Sequence, residues 1–118
     1  MYMLWEPKEI IFKVNDLGRV RSFYKAVLLL RILEEEKDKF VIFDLGSALL
    51  KFEYGGDLGL PDDFGKASQI VFKIRSVADI LEALHKLGVD YSIEDFSDGR
   101  QLDIADPEGR IVTFLSKY

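Results

Sequence analysis

The chain has 118 residues, 48% hydrophobic and 31% charged, with a formal net charge of -5, one histidine and no cysteine. That size and balance suit a single globular domain, and no apolar run approaches the roughly 20 residues of a membrane span. Without cysteine there are no disulfides, thiolate metal sites or thiol nucleophiles, and the acidic balance lacks the basic patch that nucleic acid requires.

The opening stretch, MYMLWEPKE, has no basic segment leading into an apolar one, so a cytoplasmic protein is expected. The alternating run Glu9 to Val14 (EIIFKV) then predicts a strand. Asn15-Asp16 leads into a helical pattern in which Val20, Phe23, Tyr24, Val27 and Leu28 share one face, with Asp16 placed to cap it. Strands are predicted at about Arg31 to Glu36, Phe40 to Leu45 and Ala48 to Tyr54, joined by turns at Lys37-Asp38 and Gly46-Ser47.

A connector rich in Gly, Asp and Pro follows, Gly55 to Ala67. The opening strand then returns as Gln69 to Ile74 (QIVFKI), and Ser76 to Asp79 has the spacing of a capping box for a second helix. That helix carries Val77, Ile80, Leu81, Leu84 and Leu87 on its apolar face, and Gly88 stands where it should end. Three more strands are predicted at about Val89 to Asp95, Gln101 to Ala105 and Arg110 to Leu115, with turns at Ser97-Asp98-Gly99 and Asp106 to Gly109. The pattern strand, helix, three strands thus occurs twice. The expectation is an α+β fold of duplicated βαβββ modules, 9–54 and 68–118, joined by connector 55–67 into a single domain, 1–118. Lys and Glu are plentiful, while Asn15 is the sole asparagine and Gln69 and Gln101 the sole glutamines, a composition like that of thermophile proteins.

Two motifs carry a resemblance. Val14-Asn15-Asp16-Leu17, Ser22-Phe23-Tyr24 and Val27-Leu28 are similar to the pattern V-x-D-L…S-x-x-FY…VL of the vicinal oxygen chelate superfamily, which includes glyoxalases, bleomycin-resistance proteins and extradiol dioxygenases. Asp106 to Val112 (DPEGRIV) resembles that superfamily's DPDGNxI turn and last strand, so the resemblance spans essentially the whole chain. Leu29 departs from it, because the family places glycine at the end of the first helix.

The resemblance implies that the sheets form an open, barrel-like cleft with the helices outside, and that two chains pair as a homodimer. Strand alternation then turns Glu9, Ile11 and Lys13, and equally Gln69, Val71 and Lys73, toward the cleft. Metal-using relatives place His or Glu ligands at four strand positions, which fall here on Glu9, Lys51, Gln69 and Thr113. A protonated lysine has no lone pair, threonine is a weak ligand, and a unit charge about 4 Å from Lys51 would be repelled by about 4 kcal/mol at an effective dielectric of about 20. No metal and no other cofactor are therefore expected.

In one reading Glu9 and Lys51 pair in place of the metal; in another Lys51 supplies the positive charge and holds an anionic or carbonyl oxygen of a ligand. The leading expectation is a glyoxalase/bleomycin-resistance-like protein that binds a small molecule through Glu9, Ile11, Lys13, Lys51, Gln69, Lys73 and Thr113, without metal. One alternative is a lyase or isomerase with Glu9 as general base and Lys51 as oxyanion stabiliser. Another is a structural or regulatory subunit whose cleft is filled by its own Phe40 and Tyr54. The single histidine, His85, falls on the flank of the second helix and is read as a surface residue.

Overall fold

The computed structural model describes residues 8–61 and 63–117. The reading of the first seven residues, Asp62 within the connector, and Tyr118 lie outside them. The chain divides into two compact units, Met1–Leu60 and Pro61–Tyr118, with the boundary inside the predicted connector.

In the first unit β1 (Glu9–Val14) is followed by α1 (Leu17–Ala26), β2 (Arg31–Glu36), β3 (Phe40–Asp44) and β4 (Leu49–Tyr54). The sheet runs β1-β4-β3-β2, with β1 parallel to β4 and the remaining pairs antiparallel. Asp16 caps α1 by accepting from the Arg19 N–H at 3.1 Å. The buried ring of Tyr24 lies 4.6 Å from that of Phe52 and 6.0 Å from that of Phe43, forming an aromatic core between helix and sheet.

A bulge in β2 changes which face its carboxylates occupy. Pairing jumps from Ile32 opposite Phe43 to Glu34 opposite Ile42, leaving Leu33 as the extra residue. Plain alternation from Ile32 would put Glu34 and Glu36 on the helix side. With the bulge Glu35 turns there instead, and Arg21 of α1 clasps it through two bonds of 2.5 and 3.0 Å. The guanidinium holds the Glu35 carboxyl below its ordinary range.

The second unit repeats the order: β5 (Gln69–Lys73), α2 (Ala78–Leu87), β6 (Ser92–Phe96), β7 (Gly99–Ala105) and β8 (Ile111–Lys117). Its sheet runs β5-β8-β7-β6, again with the first strand parallel to the last. Both units are βαβββ modules, and neither sheet closes into a barrel.

Three local expectations change. Ser76 does not form the reciprocal capping box; its hydroxyl accepts from Ala78 N–H at 3.2 Å, a two-residue turn just ahead of the helix. β6 begins at Ser92 instead of Val89, and β7 already at Gly99, because the hairpin turn needs only Ser97 and Asp98. Gly99 is thus a strand residue, and a Cβ there would meet the Ser116 carbonyl oxygen of β8 at 2.3 Å. The connector, finally, contains two short 3-10 turns, Gly56–Leu58 and Phe64–Ala67.

The two helices end differently. Gly88 takes the left-handed conformation after α2, at φ 67, and the same conformation after α1 falls on Leu29, at φ 57. A non-glycine residue there costs about 1–2 kcal/mol, and Leu29 is too exposed to recover it by packing. The left-handed position after α1 thus falls on the residue where the resemblance expects glycine.

The Asp106–Arg110 turn carries a buried ion pair. Asp106 Oδ1 accepts from the N–H groups of Glu108 and Arg110 at 2.8 and 3.0 Å, while Oδ2 accepts from Arg110 Nη1 at 3.0 Å. Arg110 Nε also donates to the Ser68 hydroxyl at 2.7 Å, which in turn donates to the Gly65 carbonyl at 3.1 Å. The turn is thereby tied to the residue immediately before β5.

Candidate functional site

On the helix-free face of the first sheet, β1 presents Glu9, Ile11 and Lys13, and β4 presents Leu49, Lys51 and Glu53. Register sets Ile11 beside Lys51 and Lys13 beside Glu53. Lys13 Nζ donates to Glu53 Oε2, and Lys51 Nζ stands 3.5 Å from Glu53 Oε1 and 4.8 Å from the centre of the Phe40 ring. Two ammonium groups thus share one carboxylate, leaving a surplus positive charge over an aromatic face.

The expected Glu9–Lys51 pair does not form. Glu9 lies opposite Leu49 at the start of β1, while Glu53, two residues from Lys51 on the same strand and face, takes its place. Among the described residues Glu9 makes no ion pair, so the carboxylate proposed as a base is separate from the lysine proposed to hold the oxyanion.

Lys13 holds the Glu53 carboxyl below the usual range by hydrogen bonding to it; partial burial opposes this, and the charges of Lys13 and Lys51 reinforce it. A carboxyl whose folded pKa is depressed contributes stability fully above its unfolded pKa, about 4.3, and loses it as the pH falls through the folded value. Glu53→Gln should therefore flatten the acid side of the stability profile. Urea midpoints at several pH values between about 7 and 3 read this, and an identical acid slope in both proteins would show that solvent screens the pair.

On the corresponding face of the second sheet, Gln69 and Thr113 meet. Gln69 Nε2 donates to Thr113 Oγ1 at 2.8 Å, and the Thr113 hydroxyl donates to Asp103 Oδ1 at 2.6 Å. Gln101 Nε2 straddles the same carboxylate, 3.3 and 3.1 Å from its oxygens. Thr113 is only 2% exposed, yet beside it on this face Val71 is 52% exposed, with Ile111 and Leu115 also open. Lys73 is exposed at the end of β5. Sequence reasoning missed Glu53, Gln101 and Asp103. Alternation was the available signal: Glu53 follows Lys51 by two, and the β7–β8 hairpin sets Asp103 opposite Thr113.

The four positions do not fit a divalent cation. Lys51 offers a donor already drawn to Glu53, the Gln69 amide nitrogen points at Thr113, and the Thr113 hydroxyl is committed to Asp103. Among the described residues no three His, Cys, Asp or Glu side chains gather as a metal site. His85 lies elsewhere, its Nε2 2.5 Å from the Tyr91 hydroxyl beyond α2.

Two cavities open in the first unit, away from Lys13, Lys51 and Glu53 though the first reaches Phe40. One of about 580 Å³ lies between α1 and the β2–β3 hairpin, lined by Leu17, Arg21, Glu35, Lys37 and Val41; a neighbour of about 390 Å³ is bounded by Asp16, Asp38 and Tyr54.

No protein-family model matches the sequence, and no curated protein is similar to it. Solved structures are similar. A lactoylglutathione lyase from Agrobacterium tumefaciens aligns over 92% of this chain and 91% of its own, at 16% identity and a TM-score of 0.75. A glyoxalase/bleomycin resistance protein from Catenulispora acidiphila aligns over 97% of this chain and 100% of its own, at 16% identity and 0.76. The chain has the glyoxalase/bleomycin-resistance fold. A glyoxylase/bleomycin resistance protein/dioxygenase domain from Frankia extends the set, covering 98% of this chain and 100% of its own at 21% identity and 0.72. At these identities the glyoxalase/bleomycin-resistance likeness is one of fold. No helix among the described residues is long and apolar enough to cross a membrane.

Proposed function

We propose that this chain is a glyoxalase/bleomycin-resistance-like protein that binds a small molecule without a metal ion. In this reading the Lys51 ammonium serves where relatives place a cation, holding an anionic or carbonyl oxygen of the ligand while Ile11 and Phe40 supply apolar contact. The observation that carries the proposal is the arrangement around Glu53. Lys13 is its direct hydrogen-bond partner, so Lys51, at 3.5 Å, is free to turn toward an added oxygen without stranding the carboxylate. The exposed Ile11 and Val71 beside the two polar clusters fit the same reading.

The test is a titration of EDTA-treated, isotope-labelled protein with small aromatic ketones, carboxylates, alcohols and amines, followed by amide shifts. Shifts concentrated at Ile11 and Lys51, unchanged on adding Ni²⁺, Zn²⁺, Fe²⁺ or Mn²⁺, are expected. Silence at these amides with every compound, or binding that appears only with metal, would overturn the proposal.

A further inference from the structure

We infer that Asp103 makes the helix-free face of the second sheet a recognition site for an organic cation, the protonated amine of a ligand with an apolar body. The inference rests on the ligand-binding reading above and adds the chemical class of ligand that the second sheet's face would take. Asp103 is half-buried at the centre of β7, and the groups that satisfy it are neutral: the Thr113 hydroxyl at 2.6 Å and the Gln101 amide at 3.3 and 3.1 Å. Among the described residues no lysine, arginine or histidine pairs with it. Lys73 shares this face, but it is beside Leu115 in the next cross-strand row.

Two carboxylates on the corresponding face of the first sheet are treated differently. Glu53 has Lys13 and Lys51, and Asp44 has Arg31 at 3.5 Å. A carboxylate has about four lone-pair sites, and Thr113 and Gln101 fill three, leaving room on Oδ2. A charge removed from water calls for a partner of opposite sign, and neutral donors offset only part of that cost.

The hydrogen-bond chain also fixes the direction in which the carboxylate is held. Because Gln69 donates to Thr113, the threonine proton is left to point at Asp103, and the acceptor is locked in place before any ligand arrives. Beside it Val71, Ile111 and Leu115 expose apolar surface on the same face. A fixed, cation-less carboxylate bordered by open aliphatic side chains complements an ammonium head carried on a hydrocarbon or aromatic body.

Three probes of one shape separate the possibilities: benzylamine, benzyl alcohol and benzoate, each titrated into the full chain at neutral pH, with shifts read at Gln69, Val71, Thr113 and Leu115. Benzylamine should bind about tenfold more tightly than benzyl alcohol, the size expected when a hydrogen bond gains a charge, and Asp103→Asn should bring the two within about twofold. Equal affinity for the amine and the alcohol in the unaltered protein, or stronger binding of benzoate, would overturn the inference while leaving ligand binding in place. Silence of all three at these amides would overturn the inference, and silence at Ile11 and Lys51 as well would overturn both. The comparison in the unaltered chain decides the matter even where Asp103→Asn folds poorly.

Discussion

Asp106→Ala should remove about 3–5 kcal/mol of stability, the range found when one member of a buried ion pair is deleted. Both side chains are at most 1% exposed. The substitution strands the Arg110 guanidinium without its carboxylate and takes the Asp106 acceptor from the Glu108 and Arg110 N–H groups in the same stroke. Asp106→Asn keeps an oxygen for those N–H groups but not the charge, so its loss should be intermediate. Arg110→Ala should cost less than Asp106→Ala, because the carboxylate left behind retains its backbone donors. Against total stabilities of about 5–15 kcal/mol, the first variant moves a urea midpoint a long way. A loss below about 1 kcal/mol would mean that water reaches the pair. A second consequence is functional: Arg110 holds the Ser68 hydroxyl, and Ser68 precedes Gln69. The Asp106→Ala protein should therefore also lose the fixed Gln69–Thr113 bond, visible as broadening of the Gln69 side-chain amide resonances.

The duplication and both helices were legible because a period of 2 changes to 3.6 at Asp16 and again near Val77, and because the opening strand is written twice. What escaped was decided by a neighbouring strand. The bulge at Leu33 cannot be read from β2, since only pairing with Phe43 and Ile42 shows the extra residue, and with it goes the side on which Glu35 emerges. Gly99 looked like a turn residue by composition, yet it is needed by the β8 backbone pressing on it. Leu29 was visible as a departure from the family's glycine; that it keeps the left-handed backbone was not, because sequence does not show whether a loop is rebuilt or strained.

The candidate site followed the same division. Lys51 lies on the helix-free face that alternation gives it, while the contact of Gln69 with Thr113 comes from the pairing of β5 with β8. The partner of Lys51 was misassigned because a parallel pair brings Glu9 level with Leu49, and two residues along β4 are enough to put Glu53 within reach of both lysines. Asp103 carries no motif of its own and is placed at the site only by the β7–β8 hairpin, which sets it opposite Thr113.

Tyr24→Ala should cost about 3–5 kcal/mol, as truncating a large buried aromatic does. Its ring is fully buried against both Phe52 and Phe43, so the cavity would open between helix and sheet, where neither backbone can easily follow. Tyr24→Leu refills part of that volume and should lose less than half as much. A cost under about 1 kcal/mol for the alanine variant would show that α1 repacks and that the aromatic cluster is not what holds it. Hydrogen exchange extends the result beyond a single number. Val41, Phe43 and Leu50 amides must lose protection, since they belong to the sheet that Tyr24 covers. Val112 and Phe114 belong to the second unit and report on it separately. If their slowest exchange falls by the same free energy, the two units open together and the sequence reading of a single domain holds; if it stays unchanged, each unit opens alone and that reading fails.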